Sequence, residues 1–277
     1  MLIAGGGTGT MALYMSESLN NTNAEIIYID FSVASLRVSK ARALFRKIGN
    51  IIWINDWLES LDRLGVGNFH FIESSGVLHH LKDINSGVNI LKDRLLPQGG
   101  GMDVMLYGRI GRLGIYSMQK LLRLIFNKNC DTPSKLRLTR HILKRLPESN
   151  WFLMGEENIN DHLHLGDSGT YDMLLHNRDT AFNTIEVEEL IRNSDIDLVK
   201  HNNIYRFYDL GNYGRIPKIW NQHFEEDTFN RKHSIHELIT GDLIKHEITI
   251  STLVNKTKYS KGTRRNKDMS LNGTTHH

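Results

Sequence analysis

The chain of 277 residues has little cysteine, no long apolar run and no internal repeat. Its single cysteine, Cys130, excludes an intrachain disulfide and suits a reducing compartment. No apolar stretch reaches the roughly 20 residues that cross a bilayer, and no secretory signal is apparent, so we expect a cytoplasmic protein without a membrane span. Hydrophobic residues make up 40% of the chain, which is enough for the core of one elaborated domain.

A glycine-rich loop opens the sequence, where residues 1–10 read MLIAGGGTGT. Glycines after a short strand let backbone N–H groups and a helix N-terminus approach a polar ligand closely. The dinucleotide pattern G-x-G-x-x-G/A fails because Thr10 holds its last position, whereas G-x-G-x-G fits Gly5, Gly7 and Gly9. The loop therefore predicts a nucleotide-type cofactor and disfavours a dehydrogenase, although glycines also occur in turns that bind nothing.

An acidic residue, Asp30, follows the glycine loop at the end of the next predicted strand. The segment EIIYID reads as a buried parallel strand that ends in Asp30, 21 positions after Gly9. A carboxylate about 20 residues beyond such a loop commonly accepts hydrogen bonds from a ribose diol. The alternative is a solvated aspartate at the start of the next helix, where Ser32 is also a good N-cap.

The next 80 residues alternate strands with helices. NIIWIND reads as a third strand ending in Asn55, Asp56 and Trp57, which suit an adenine amino group and ring face. FHFIESSGVLHHL is a fourth strand running into a glycine turn, and MDVMLYG is a fifth. This alternation predicts a parallel α/β sheet with right-handed crossovers.

The segments GGGTG, YIDFS, IND, SSGVLHHL and LLPQGGGMDVMLYG together resemble a class I S-adenosylmethionine (SAM)-dependent methyltransferase, in the group that includes the quinone-biosynthesis type. The resemblance implies an α/β fold: a Rossmann-like, seven-stranded, mostly parallel sheet in the order 3-2-1-4-5-7-6, with helices on both faces and an antiparallel last strand. It implies one domain over residues 1–254, with a core of 1–108 and 180–254 and helical insertions at about 108–180 and 202–243. The basic tail, 255–277, lacks apolar periodicity and is expected to be disordered.

The same resemblance implies the cofactor, SAM, and the residues that bind it. The glycine loop would line the methionine and ribose, Asp30 would hold the ribose hydroxyls, the third-strand end would surround the adenine, and the fourth-strand end would border the sulfonium. The implied set is Gly5, Gly7, Thr8, Gly9, Asp30, Phe31, Asn55, Asp56, Trp57, Glu73, Ser74 and Gly76. Ile3 stands where the family usually has an acidic residue, and the family's helices before the first strand have no counterpart, so we expect an N-terminally truncated form.

Two histidines follow the fourth strand, at the edge of the sheet where such sites form. His79 or His80 could act as a general base, since neutral histidine suits proton transfer near pH 7. The alternative is that both pack or cap the turn. The only cysteine lies far along the chain, so a thiolate nucleophile for cytosine C5 chemistry is not expected.

Charge is unevenly distributed although the formal net charge is only +3. Residues 109–145 contain ten Lys/Arg against one Asp, and residues 146–177 contain six acids without a Lys or Arg. The basic segment is either a solvated helical face or, with Tyr107, Arg109 and Arg112 near the pocket, a binding site for an anionic substrate. A nucleic-acid partner would fit the charge, but no RNA- or DNA-binding motif supports one.

The segment DHLHLGDSGTYDMLLHNRD places His162, His164 and His176 among several aspartates. An H-x-H with nearby carboxylates could bind a metal ion. Because no tight spacing motif completes the set, we predict ordinary polar loop or substrate-lid residues and no metal site.

The sequence leaves two alternative functions open, one enzymatic and one not. The first is a SAM-dependent methyltransferase that acts on an O, N, C or S nucleophile of a small metabolite, anionic in one interpretation. The second is a catalytically impaired, methyltransferase-like binding or scaffold protein.

Overall fold

Seven strands form one mixed sheet in the computed structural model, which describes residues 1–126, 130–156, 159–202 and 229–252. The strand order is β3-β2-β1-β4-β5-β7-β6, so the predicted Rossmann-like α/β sheet is confirmed. The strands are β1 Leu2–Ala4, β2 Ile26–Ile29, β3 Ile51–Ile54, β4 Phe71–Ser75, β5 Gly101–Tyr107, β6 Asp197–His201 and β7 Lys245–Ser251.

Strands β1 to β5 run parallel, and β7 inserts antiparallel between β5 and β6. Leu2 of β1 pairs with Ile27 of β2 on one side and Ile72 of β4 on the other. Because the carboxyl ends of parallel strands meet at one edge, the loops that follow β1, β2, β3 and β4 come together there. This edge is where the predicted cofactor residues lie.

Helices connect the strands and cover the sheet. They are α1 Thr10–Ser18, α2 Val33–Phe45, α3 Leu61–Leu64, α4 Ile84–Asp93, α5 Leu113–Ile125, α6 Thr132–Leu143, α7 Trp151–Met154, α8 Asp161–His164, α9 Gly166–Thr170, α10 Thr184–Asn193 and α11 Phe229–Thr240. Short 3-10 helices cover Leu58–Ser60 and Leu78–His80, and a π-helix covers Tyr171–Leu175.

Side-chain caps fix where helices begin. Ser32 precedes α2 and accepts a hydrogen bond from the Ser35 N–H, as the sequence predicted. Helix α10 also begins at a side-chain cap. Asn183 is the cap, and it forms a reciprocal capping box with Glu186 because its extended backbone lets the side chain reach back to the first turn.

The core has two layers, one on each face of the sheet. Neighbouring residues of β1 belong to different layers. Leu2 is part of the cluster that contains Leu91 of α4 and Val187 of α10, whereas Ile3 is part of the cluster that contains Leu13 of α1. This division follows from the two-residue period of a strand. It confirms the predicted helices on both faces.

The helices after β5 enclose a third cluster of buried side chains. Ile115 and Met118 of α5 pack with Phe152 of α7 and Met173 of the π-helix. These helices occupy the first predicted insertion. Most of the second predicted insertion, residues 203–228, and the predicted disordered tail, 255–277, lie outside the described residues.

No helix in the described part of the chain combines the length and the hydropathy that a bilayer crossing requires.

Candidate active site

The glycine loop turns through left-handed backbone at three positions. Gly5, Gly7 and Gly9 have φ of 74°, 53° and 87°. A Cβ on Gly5 would lie 2.3 Å from Val77, and one on Gly9 would lie 2.8 Å from the Ser39 hydroxyl. Two of the three glycines are therefore required by both conformation and space. At Gly7 no atom lies within 4 Å of the Cβ position, so this part of the loop borders open space.

Two buried side chains and one partly exposed arginine hydrogen-bond to the backbone of the loop. The Tyr28 hydroxyl donates to the Gly7 carbonyl at 2.5 Å, and the Ser39 hydroxyl donates to the same oxygen at 2.8 Å. Arg42 donates to the Thr8 carbonyl at 2.6 Å. Burial raises the pKa of Tyr28 to about 12, so the phenol stays protonated and remains a donor. The loop is thus shaped before any ligand arrives.

Asp30 joins the glycine loop to the end of β2. One carboxylate oxygen accepts the Gly7 N–H at 2.7 Å, and the other accepts the Ser32 N–H at 2.8 Å. The Asn55 side chain donates to the Asp30 carbonyl at 2.8 Å. A carboxylate has about four acceptor sites, so roughly two remain for ligand hydroxyls. Both interpretations of Asp30 thus fit, since it positions the next helix and still faces the cavity.

Two cavities flank the loop. The first, of about 270 Å³, lies beside Asp30 and is also bordered by Phe31, Asp56 and Trp57. The second, of about 280 Å³, lies on the other side. The predicted residues that line one or both are Gly5, Gly7, Thr8, Asp30, Phe31, Asp56, Trp57, Glu73, Gly76 and His80.

Three predicted cofactor residues do not line these cavities. Gly9 directly precedes α1 and packs against Ser39, and Asn55 braces the Asp30 backbone. Ser74 is fully buried in β4, and its hydroxyl has no hydrogen-bond partner in the described part of the chain. Gly9 and Asn55 thus support the residues that border the cavity, and contact with the cofactor stays a prediction for all three.

Two exposed aromatic rings stack at the mouth of the first cavity. The centroids of Phe31 and Trp57 are 4.6 Å apart and the ring planes are nearly parallel, at 7° to each other. Each residue keeps 60% of its surface exposed. Asp56 pairs with Arg63 at 2.8 Å, and its pKa lies below the usual range, chiefly because it accepts the Trp57 N–H. The site thus offers an aromatic face beside an anionic rim.

The end of β4 contributes a buried carboxylate to the second cavity. Glu73 is 5% exposed and accepts a hydrogen bond from the Ser75 hydroxyl. Burial raises the pKa of Glu73, and the nearby carboxylates Asp103 and Glu247 add to the shift. Glu73 lines this cavity together with Gly5 and Gly76. Its place near the methyl-transfer position stays a prediction.

The two histidines after β4 have different surroundings. His79 is fully buried and stacks on Tyr107, with ring centroids 3.9 Å apart. Burial lowers the pKa of His79 to about 2, so its imidazole is neutral. His80 lines the first cavity. A direct role in proton transfer therefore has geometric support for His80, whereas His79 packs behind it.

Both predicted substrate-binding arginines have internal partners. Arg109 pairs with Glu186 at 2.7 Å and donates to the Ala181 carbonyl. Arg112 is buried, with its guanidinium 3.5 Å from the Tyr107 ring centroid and 4.0 Å from Asp179. These contacts join the end of β5 to the segment before α10. Binding of an anionic substrate by Tyr107, Arg109 and Arg112 stays a prediction.

One cavity residue comes from the helical region after β5. His176 lies just after the π-helix and borders the first cavity together with His80. The Thr180 N–H donates to the His79 carbonyl at 3.1 Å, and the Phe182 N–H donates to the Tyr107 carbonyl at 2.9 Å. These bonds bring the segment back to the ends of β4 and β5. In the sequence, His176 was notable only because aspartates lie near it. No sequence pattern predicted that it lies beside His80.

The strand order and the site at the carboxyl edge define a class I methyltransferase fold. Residues 2–102 match the sequence profile of a family described as "Methyltransferase domain". The methyltransferase domain recognised from the sequence is thereby confirmed over these residues. Membership of the quinone-biosynthesis group and an N-terminal truncation stay predictions.

Comparisons with individual proteins agree on the fold. A protein of Synechococcus sp. described as uncharacterized is 30% identical over 198 residues, which cover 71% of this chain and 46% of that protein. The structure of PKMT2 from Rickettsia typhi in complex with AdoHcy superposes with a TM-score of 0.71 at 18% identity, over 90% of this chain and 48% of that one. A second PKMT2 structure gives a TM-score of 0.69 at 16% identity, over 90% of this chain and 47% of that one. The chain thus spans about half the length of these three matches.

Proposed function

We propose that this chain binds SAM around the glycine loop and transfers its methyl group to an O, N, C or S nucleophile of a small molecule. The observation that carries the proposal is the contact between Asp30 and the Gly7 N–H at 2.7 Å. It fixes a hydroxyl-accepting carboxylate against the loop that would hold the rest of the cofactor. PKMT2, which shares the fold, was solved with AdoHcy, the product that SAM becomes on losing its methyl group.

The residues around the loop fit the three parts of SAM. Asp30 has acceptor sites left for a ribose diol, and the Phe31–Trp57 pair offers an aromatic face to adenine. Loop backbone without side chains at Gly5 and Gly7 allows the methionine part to approach closely. When bound, SAM supplies an electrophilic methyl carbon on a positively charged sulfur.

The main task of the protein is then to position the nucleophile relative to the cofactor. Methyl transfer is an in-line displacement, so rate comes from aligning the nucleophile with the carbon–sulfur bond in a site that excludes water. The hydrogen bonds from Tyr28 and Ser39 to the Gly7 carbonyl fix the shape of the loop, so the loop need not rearrange when the cofactor binds. Where the nucleophile carries a proton, His80 lies in the cavity as an acceptor.

Calorimetric titration with S-adenosylhomocysteine (SAH) tests the cofactor site. We expect binding, and Asp30→Ala should weaken it about tenfold or more, because a hydrogen bond to a charged group is worth about 1.5–3 kcal/mol. Asp93→Ala is the matched control, since Asp93 is an exposed aspartate at the end of α4. Thermal unfolding of each variant shows whether the loop has stayed in place.

Each outcome decides between the functions. Absence of SAH binding at high micromolar concentration would contradict the proposal. Equal affinity in the wild type and Asp30→Ala would show that Asp30 does not hold the ribose. SAH binding without methyl transfer to any member of a broad acceptor panel would favour the binding or scaffold function instead.

A further inference from the structure

Three potential metal ligands meet at the wall of the first cavity. One ring nitrogen each from His80 and His176 and one carboxylate oxygen of Asp172 all lie within 4.8 Å of one another. His80 and His176 both line the cavity beside Asp30, and Asp172 is exposed to solvent. The cluster is therefore held by the protein on one side and accessible to solvent on the other.

The local backbone explains how the cluster forms. Asp172 lies in the π-helix and His176 directly follows it, four residues later, so the two side chains share a face. Single-turn π-helices are rare and occur frequently at functional sites. The bond from the Thr180 N–H to the His79 carbonyl then ties this segment to the turn that carries His80.

The two imidazole rings are oriented by one backbone carbonyl. The Nδ1 atoms of His80 and His176 lie 2.8 Å and 2.5 Å from the carbonyl oxygen of Arg178. A metal-binding histidine commonly donates its other ring N–H to a backbone carbonyl, which fixes the ring and its tautomer. A carbonyl oxygen has two lone pairs and can accept both bonds. The Arg178 N–H nitrogen also lies 3.2 Å from the His176 Nδ1, so both backbone groups of Arg178 contact that ring. In the tautomer with Nδ1 protonated, Nε2 of each ring is the nitrogen left to bind a metal ion.

The ligand types and spacing indicate the kind of ion. Two imidazoles and one carboxylate suit divalent first-row transition metals, whereas Mg²⁺ prefers an all-oxygen shell. Ligand bonds of about 2.0–2.2 Å allow two ligand atoms to be at most about 4.4 Å apart. In a tetrahedral site such bonds place neighbouring ligand atoms about 3.3–3.6 Å apart. The three atoms lie within 4.8 Å of one another, so they must approach by up to about 1.5 Å, which needs rotation of the exposed Asp172 side chain and of at least one ring.

A neighbouring set of donors is less suited to an ion. His79, His80 and Asp179 also lie within ligand distance of one another. However, Asp179 accepts a hydrogen bond from Gln119 at 2.9 Å and lies 4.0 Å from the Arg112 guanidinium. His79 is fully buried. The set with Asp172 keeps its carboxylate available and its open side toward the cavity.

We propose that His80, Asp172 and His176 bind one divalent transition-metal ion at the wall of the cofactor cavity. The sequence predicted no metal site, because residue spacing alone could not bring His80 to the other two. Three protein ligands leave coordination positions open, as in catalytic metal sites.

The open positions also suggest the acceptor class, an inference that rests on the proposed function. A hydroxyl group bound to a divalent ion loses its proton more readily. The acceptor would then be a hydroxylated compound with a second oxygen that helps it chelate the ion. The O–H proton leaves to solvent, the new C–O bond forms as the C–S bond of SAM breaks, and SAH departs. A metal-bound His80 would be a ligand and not the proton acceptor.

Equilibrium dialysis with Zn²⁺ alone, followed by Co²⁺ absorption spectroscopy, tests the site without SAM or acceptor. We expect one equivalent of Zn²⁺, with affinity reduced tenfold or more in Asp172→Asn and in His176→Gln. His164→Gln and Asp93→Asn are matched controls that remove the same residue types at exposed positions outside the cluster, and they should bind Zn²⁺ like the wild type. Circular dichroism checks that each variant folds.

Two results would overturn the metal site. One is the absence of stoichiometric Zn²⁺ binding. The other is Zn²⁺ binding that survives Asp172→Asn and His176→Gln. Its loss in Glu188→Gln would then assign the ion to Glu188, His201 and His233, a separate cluster of possible ligands. SAH titration is independent of both results. Zn²⁺ binding without SAH binding would contradict the proposed function alone, and SAH binding without Zn²⁺ binding would contradict only this inference.

Discussion

Three single substitutions of glycine by alanine would distinguish three effects: backbone strain, a steric clash with a neighbouring side chain, and exclusion of the ligand. Gly5, Gly7 and Gly67 have φ of 74°, 53° and 77°. A Cβ on Gly5 would lie 2.3 Å from Val77 Cγ2, whereas no atom lies within 4 Å of the Cβ position at Gly7 or Gly67. The three positions therefore share the left-handed conformation and differ in what surrounds them.

The structure sets the order of the effects. Left-handed backbone costs an L-residue about 1–2 kcal/mol, so Gly67→Ala should lower the free energy of unfolding by about that amount. Gly5→Ala adds the cost of overpacking, about 1–3 kcal/mol, and should lose about 2–5 kcal/mol in total. Gly7→Ala should resemble Gly67→Ala in stability but bind SAH at least tenfold more weakly, because its methyl group enters the space beside the loop.

Urea denaturation and SAH titration measure both effects, and Val77 supplies the internal check. Removing the Val77 methyl groups in a Gly5→Ala/Val77→Ala double variant should recover part of the loss, so the two substitutions should be non-additive. The reasoning is refuted if Gly5→Ala is no more destabilising than Gly67→Ala, or if the double variant is simply additive. Unchanged SAH affinity in Gly7→Ala would show that the ligand does not approach this part of the loop.

Three further predictions concern other parts of the molecule. Asn183→Ala removes the α10 capping box and should lower the free energy of unfolding by about 1 kcal/mol in urea denaturation; no change would mean that Asn183 does not cap the helix. SAH should change tryptophan fluorescence in the wild type but much less in Trp57→Leu; an equal response would place the adenine elsewhere. Burial raises the pKa of Glu188 to about 7, so the folded state disfavours its charge and stability falls as pH rises from about 4.5 through 7. Glu188→Gln should therefore stabilise the protein at pH 8 and leave it nearly unchanged at pH 5, as urea midpoints would show; equal effects at both pH values would contradict this.

The sheet was predictable because its strands are short and apolar and end in polar or glycine residues. Asp30 was found for the same reason, since it directly follows a buried strand. Its bond to the Gly7 N–H was not predictable, because it joins residues 23 positions apart through a turn whose course depends on glycine conformation. The contacts of Tyr28 and Ser39 below the loop depend on the same course and carry no signature in the sequence.

The surroundings of the charged residues after β5 were harder to predict. Charge alone left Arg109 and Arg112 either on a solvated helical face or as binders of an external anion. Their carboxylate partners, Glu186 and Asp179, lie about 70 residues further along the chain. His176 was likewise seen only among its sequence neighbours. These side chains meet partners on a segment that leaves the sheet after β5 and returns before α10. Which residues pair depends on where that segment returns, and the local sequence pattern does not determine this.

The separate core of the helices after β5 has a consequence for how this protein can change. Ile115, Phe152 and Met173 pack among themselves, whereas the glycine loop rests on β2 and α2. Substitutions within this third cluster should therefore leave the glycine loop and its contacts unchanged. Among the described residues that border the first cavity, His176 alone comes from these helices. Through His176, a rearrangement of these helices would reach the cavity beside Asp30 without passing through the sheet.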